Sequence, residues 1–241
     1  MKARRGLRIQ GWDVSIGHGA GVEFTDGTLS GQWTASDKPI AKKVRKISTV
    51  KDILQVPQAP KREKDVAAFH ANRLDWWYSF FENHVKSTRP CYVALEDYAY
   101  GAGYQAHQIG EVGGAARRVL WKYGIPFRLH DPMTIKMFAC ENGHANKEDM
   151  KMGVKNRWGI EFYSSYPEKC IAICAEDLTD AFAIVKLLHL EIQLRKGLIR
   201  LQDLSPKDIQ IFNRATKTYP VNILGRNFIA KTKEEVENSE L

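Results

Sequence analysis

The sequence predicts an α/β fold, a mixed five-stranded sheet (three antiparallel strands, then β-α-β) flanked by helices. Three observations predict it. Residues 7 to 34 alternate apolar and polar positions between glycine-rich turns, as an antiparallel meander does. Residues 91 to 130 read as strand, helix, strand, which implies parallel pairing and a right-handed crossover. Several later segments repeat apolar residues every three or four positions, as helices with one buried face do.

The first strand is Leu7 to Asp13, and the turn Gly17-His18-Gly19-Ala20 leads to Gly21-Val22-Glu23-Phe24. Thr25-Asp26-Gly27 then turns the chain into Thr28 to Thr34. Residues 35 to 62 carry Pro39, Pro57, Pro60 and many lysines, the composition of a long connection outside the core. A helix is predicted over Glu63 to Val85, with stripes at Leu74, Trp77, Phe81, Val85 and at Phe69, Arg73, Trp76, Phe80. One broad core face accounts for both stripes; a partner subunit on the second is the alternative.

Cys91 to Glu96 is the next strand, followed by a helix from about Tyr104 to Tyr123 that Gly124 stops, and by the strand Pro126 to His130. Asn146 has the side chain of an N-cap for a helix to Trp158, with Asp149 three residues on. Asp177 to Leu194 is strongly amphipathic through Ala181, Ile184, Val185, Leu188 and Ile192. Ser205-Pro206 opens a last short helix, and Lys231 to Leu241 is polar.

The chain has 241 residues, enough for one large core with additions, and a formal charge of +8 from 36 Lys+Arg against 28 Asp+Glu. That excess suits a polyanionic partner, nucleic acid before an acidic membrane surface. No apolar run approaches the roughly 20 residues that cross a bilayer. The N-terminus enters a strand without a signal-peptide core, so the expectation is a soluble cytoplasmic protein, in the host cytoplasm if phage-encoded. Cys91, Cys140, Cys170 and Cys174 form no C-x-x-C pair and read as reduced thiols; His130, Cys140 and His144 match no standard zinc spacing.

Four acids stand out against this background. Asp13 and Glu96 each close an apolar strand, while Asp177 and Asp180 are three apart on one helical face. If the first and fourth strands are parallel neighbours, Asp13 and Glu96 emerge side by side, and a helix docked there adds the other pair. Carboxylates are the preferred ligands of hard cations, and a cluster around two such ions drives in-line phosphoryl transfer. Taken singly, each acid has an ordinary explanation: Asp13 as a turn former, Asp177 as an N-cap, Asp180 as a first-turn acid.

These residues resemble the RuvC-like Holliday-junction resolvases of the ribonuclease H-like superfamily. The resemblance lies in Gly11-Trp12-Asp13, in Ala94-Leu95-Glu96-Asp97-Tyr98, in Lys136 and Lys147 flanking Gly143-His144-Ala145-Asn146, and in Asp177-Leu178-Thr179-Asp180-Ala181. It spans roughly residues 7 to 190 and implies a nuclease domain over 1–195, with a basic insertion at about 35–62 and an extension over 196–241. It further implies a homodimer nicking opposing strands of a four-way DNA junction with two Mg²⁺ or Mn²⁺ ions held by Asp13, Glu96, Asp177 and Asp180. Lys147 would serve the scissile phosphate, Lys136 the backbone further along. Tyr98 and Tyr100 would stack on an unpaired base, or else are core tyrosines.

Three features depart from the family pattern. Val14-Ser15 follows Asp13 where Pro-Gly is frequent. The insertion carries Lys42, Lys43, Arg45 and Lys46 in a stretch without acids, suited to a DNA arm or to a solvated loop. The extension, with Arg200, Lys207, Arg214, Lys217 and Arg226, suits either a DNA contact or a subunit clasp. Sugar kinases and actin-like ATPases share the sheet topology, but they need an Asp-x-Gly turn and a second half, both missing here. Transposase-like or RNA-guided nucleases share the acids but carry further domains. A non-catalytic DNA-binding protein accounts for the charge and leaves acids on a phosphate-binding surface unexplained.

Overall fold

The computed structural model describes residues 6–38, 53–58, 66–97, 106–162 and 169–231, with backbone alone at 106–109 and 169–173. Strands β1 (Arg8–Val14), β2 (His18–Thr25) and β3 (Thr28–Ser36) form the predicted meander. Helix α1 (Val66–Thr88) leads to β5 (Tyr92–Glu96), α2 (Ala106–Lys122) and β6 (Phe127–His130), with β4 (Ile53–Gln55) preceding α1. Helices α3 (Pro132–Cys140), α4 (Lys147–Trp158), α5 (Lys169–Arg195) and α6 (Pro206–Asn213) complete the chain.

The sheet runs β4-β3-β2-β1-β5-β6, with β1 antiparallel to β2 and parallel to β5. It has six strands, not five. The added strand is β4, parallel to β3, inside the stretch read as a connection. Ile53, Leu54 and Val56 are apolar residues within that charged region, and Val56 is fully buried. Arg73 of α1 fastens the segment by donating from Nε to the Pro57 carbonyl (2.9 Å) and by pairing with Asp37.

Strand alternation sends side chains to two cores. Trp12, Val93, Leu95, Phe127 and Leu129 face α1 and α2, where Trp77, Phe81, Val112 and Val119 are buried. Trp76 and Phe80, from the second stripe of α1, also pack against this core, and Phe80 meets Trp33 edge-on at 4.8 Å. Both stripes therefore belong to one wide face. Ile9, Val22, Phe24, Tyr92 and Ala94 face α5, which supplies Leu178, Ala181, Val185 and Leu188.

Gly11 decides how closely α5 lies on the sheet. A Cβ there would stand 2.5 Å from both the Ala181 carbonyl oxygen and the Val185 nitrogen. Only glycine admits helix backbone at that distance.

Two helix readings are corrected. Helix α5 begins at Lys169, so Asp177 lies about two turns inside it and is not its N-cap. Helix α3 was missed, although Asp131 caps it by accepting from Met133 and Thr134 and Pro132 occupies its first turn. The α4 reading holds in detail: Asn146 and Asp149 form a reciprocal capping box. Ser205 likewise caps α6.

Beyond α5, the described part of the C-terminal segment folds back on the chain. Phe228 is buried against Tyr92 (4.8 Å between ring centres), and Ile229 bridges to Phe127 at the β6 edge. Arg128, buried with Glu191, donates to the Asn227 carbonyl at 2.8 Å. Tyr219 lies under the Arg226 guanidinium (4.2 Å) and hydrogen-bonds Asp97, next to Glu96. Tyr219→Phe keeps the ring and removes the bond to Asp97, so a loss of about 1 kcal/mol is expected in urea unfolding. Wild-type stability in this variant would show that the hydroxyl contributes nothing.

Candidate active site

Register places the first two acids. Trp12 pairs with Leu95, so the next residues, Asp13 and Glu96, leave adjoining parallel strands together at their carboxyl ends. They project to the same face as His130, which pairs with Glu96 on β6. That face is covered by α5, whose close seat on Gly11 brings the turn preceding Ala181 over the strand ends. Asp177 and Asp180 lie on that turn, their side chains 3% and 13% exposed.

Lys147 completes the group. It is the first residue of α4, where a positive charge opposes the helix dipole, so its position is not explained by helix stability. Its Nζ reaches Asp180 Oδ2 at 2.8 Å. Lys136 of α3 stands near enough for its charge to favour ionisation of Glu96 and Asp180.

The electrostatics are those of crowded carboxylates. Burial, and then the charges of Asp177, Glu96 and Asp180, hold the Asp13 carboxyl well above its ordinary range, against a smaller pull from Lys147. Burial and the neighbouring Asp180 push Glu96 up to about 7. Asp180 is raised by burial, with Lys147 opposing. Burial works against the Lys147 charge, but Asp180 and Asp13 outweigh it and the ammonium is strengthened.

The linkage of Glu96 has a definite sign. A carboxyl raised from 4.5 to about 7 binds its proton more tightly in the folded state, so stability falls as pH climbs through that window and levels off above it. Glu96→Gln removes the cost. Without added metal, the variant is expected to exceed wild type by about 2 kcal/mol at pH 8, a value reduced for solvent screening. At pH 4 the two should coincide; denaturant midpoints at the two pH values make the check.

His18 belongs to the site and was missed in the sequence. It opens β2 after a tight turn in which its backbone N–H donates to Ser15 Oγ (3.4 Å) and Ser15 Oγ donates to its carbonyl (3.0 Å). Its Nδ1 meets Asp177 Oδ2 at 2.7 Å. Burial disfavours the imidazolium, yet the Asp177 contact prevails and raises its pKa. The available signal was positional: a hairpin leaving Asp13 must return its first residues beside that acid.

The donor set fits divalent cations. Four carboxylates from β1, β5 and α5 repel one another, and added positive charge relieves that repulsion. As they stand, the acids share one neighbourhood without converging on a point. Among the described residues, no three His, Cys, Asp or Glu side chains are gathered tightly enough to hold one ion. Tyr98, Tyr100, Lys42, Lys43, Arg45 and Lys46 lie outside the described residues.

The sheet order, the parallel β1–β5 pair and the acids at its carboxyl end define a mixed six-stranded α/β protein with an acidic site at the strand ends. In sequence the chain is RuvC-like. The crossover junction endodeoxyribonuclease RuvC of two Thermus thermophilus strains is 29% identical over 127 residues, 52% of this chain and 70% of the relative. RuvC of Chloroherpeton thalassium is 29% identical over 118 residues, 48% of this chain and 59% of the relative. No protein-family model matches. The overall likeness to solved structures is weak: T. thermophilus RuvC in complex with a Holliday junction substrate has a TM-score of 0.47 at 18% identity, covering 75% of this chain and 96% of that one. No helix among the described residues is long and apolar enough to cross a membrane.

Proposed function

We propose that this protein is a divalent-metal-dependent endonuclease that resolves four-way DNA junctions by paired nicking of opposing strands. The observation that supports this most is the proximity of Asp13, Glu96, Asp177 and Asp180, brought to one neighbourhood from three elements, with Lys147 against Asp180. Together with the RuvC similarity, it gives acids on a basic chain a purpose, since without cations they would repel phosphate.

The four carboxylates would hold two Mg²⁺ or Mn²⁺ ions. Such ions, when bound, supply a water nucleophile and charge for the departing 3′ oxygen. Lys147, on the rim and half-exposed, offsets charge on the scissile phosphate; Lys136 holds backbone further from it. The buried faces of α5 and β1 keep the acids in register. Tyr98 and Tyr100 stack on an unpaired base at the junction centre, and Lys42, Lys43, Arg45 and Lys46 follow a DNA arm. Residues 1–195 form the nuclease unit with its insertion at about 35–62, 196–241 form an extension, and a homodimer places two sites on one junction.

The test is incubation with a synthetic four-way junction and Mg²⁺ beside Asp13→Asn and Glu96→Gln, with flaps and forks as competitors. Symmetric paired nicks lost in both variants are expected. Absence of nicks by wild type, or cutting by both variants at the wild-type rate, overturns the reading; preference for flaps or forks redirects it to another branched-DNA nuclease.

A further inference from the structure

We propose that His18 is a positioning residue for this site: its Nδ1 fixes the Asp177 carboxylate so that the acid meets a divalent cation in one orientation. The inference rests on the functional reading above and extends it to a residue outside the four acids and two lysines.

The two helix acids are restrained by different side chains. Asp180 is held by Lys147 and Asp177 by His18, whereas no donor among the described residues hydrogen-bonds the Asp13 or Glu96 carboxylates. Asp177 needs such a partner. It lies inside α5 with its side chain 3% exposed, beside acids that repel it, so water gives it little help. The contact occupies Oδ2 and leaves Oδ1.

His18 is itself placed by local chemistry. Ser15 Oγ closes the turn by bonding both the His18 N–H and its carbonyl, and Gly17, Gly19 and the pairing of Gly19 with Val14 fix where β2 begins. At Gly19 a Cβ would meet the Asp13 carbonyl oxygen at 2.9 Å, so the hairpin runs tightly against the residue that carries the first acid. The ring is 42% exposed, so core packing does not account for it. A hydrogen-bonded partner that orients a metal-binding carboxylate commonly changes metal affinity or turnover by roughly 10- to 100-fold when removed.

The experiment compares wild type with His18→Ala and His18→Asn, the second keeping an N–H donor close to the Nδ1 position. Mn²⁺ binding is followed by calorimetry and by the Mn²⁺ spin-resonance signal, junction nicking by kcat and KM, and the imidazole by ¹⁵N NMR without metal. Weaker Mn²⁺ binding and lower kcat in His18→Ala, roughly 10-fold or more at unchanged KM, are expected, with His18→Asn restoring most of both. Wild-type Mn²⁺ affinity in His18→Ala overturns the proposal, as does a His18→Asn variant no better than alanine. NMR showing no hydrogen-bonded Nδ1 in metal-free wild type also overturns it. If wild type shows that bond but neither binds Mn²⁺ nor nicks a junction, the functional reading fails and the positioning role fails with it; normal wild-type activity with an unaffected His18→Ala sinks the positioning role alone.

Discussion

Asp13→Asn should reduce nicking of a four-way junction on the order of 10³-fold, about 4 kcal/mol of barrier, without weakening junction binding. Asp13 feels all three of the other acids: Asp177, Glu96 and Asp180 all raise its pKa, beyond what burial does. Replacing it with an isosteric amide removes one charge from the centre of the group and leaves the strand register untouched. Binding should hold or tighten, because a negative charge leaves a surface meant for phosphate.

The same substitution should stabilise the metal-free fold. A carboxyl held well above 3.8 in the folded state makes the protein most stable below that pH, and the advantage is lost as pH rises toward the folded value. At pH 8 wild type bears a cost that the variant does not. Added Mg²⁺ should reverse the order, raising the wild-type unfolding temperature and leaving Asp13→Asn nearly unmoved. Junction cleavage, filter binding and thermal unfolding with and without Mg²⁺ check the three statements separately. A variant that cuts like wild type would remove Asp13 from the site.

Gly11→Val is expected to act on stability and activity at once. The new Cβ would meet backbone of α5, at the Ala181 oxygen and the Val185 nitrogen, both at 2.5 Å, and backbone cannot swing aside as a side-chain end does. Strand and helix must separate. Overpacking usually costs 1–3 kcal/mol, and the upper end, about 3 kcal/mol, is expected here, or roughly 6–12 °C in unfolding temperature. Because the displaced turn carries Asp177 and Asp180, cleavage should fall further than the lost stability explains, even at temperatures where the variant is fully folded. Full activity in the folded variant would show that the α5 acids tolerate displacement.

These two residues mark how far the sequence could be read. Asp13 was legible because it ends an apolar strand, and Glu96 for the same reason; strand ends depend on local alternation. The capping box of α4 and the Ser205-Pro206 start of α6 were legible because a cap is chemistry within four residues. The start of α5 was not, since Lys169 offers no cap signal and Asp177 imitated one. Strand β4 was hidden because three residues with one ladder partner leave no periodicity, and β3 alone makes them a strand.

By itself, then, the sequence determined the order of the main strands and of most helices and which acids end strands, all properties of residues close together along the chain. The tertiary structure alone decided that α5 lies on Gly11, that Lys147 and His18 divide Asp180 and Asp177 between them, and that the C-terminal segment returns to β6. Each of those contacts joins residues far apart in sequence, and their distances follow from packing and register, which no local pattern encodes.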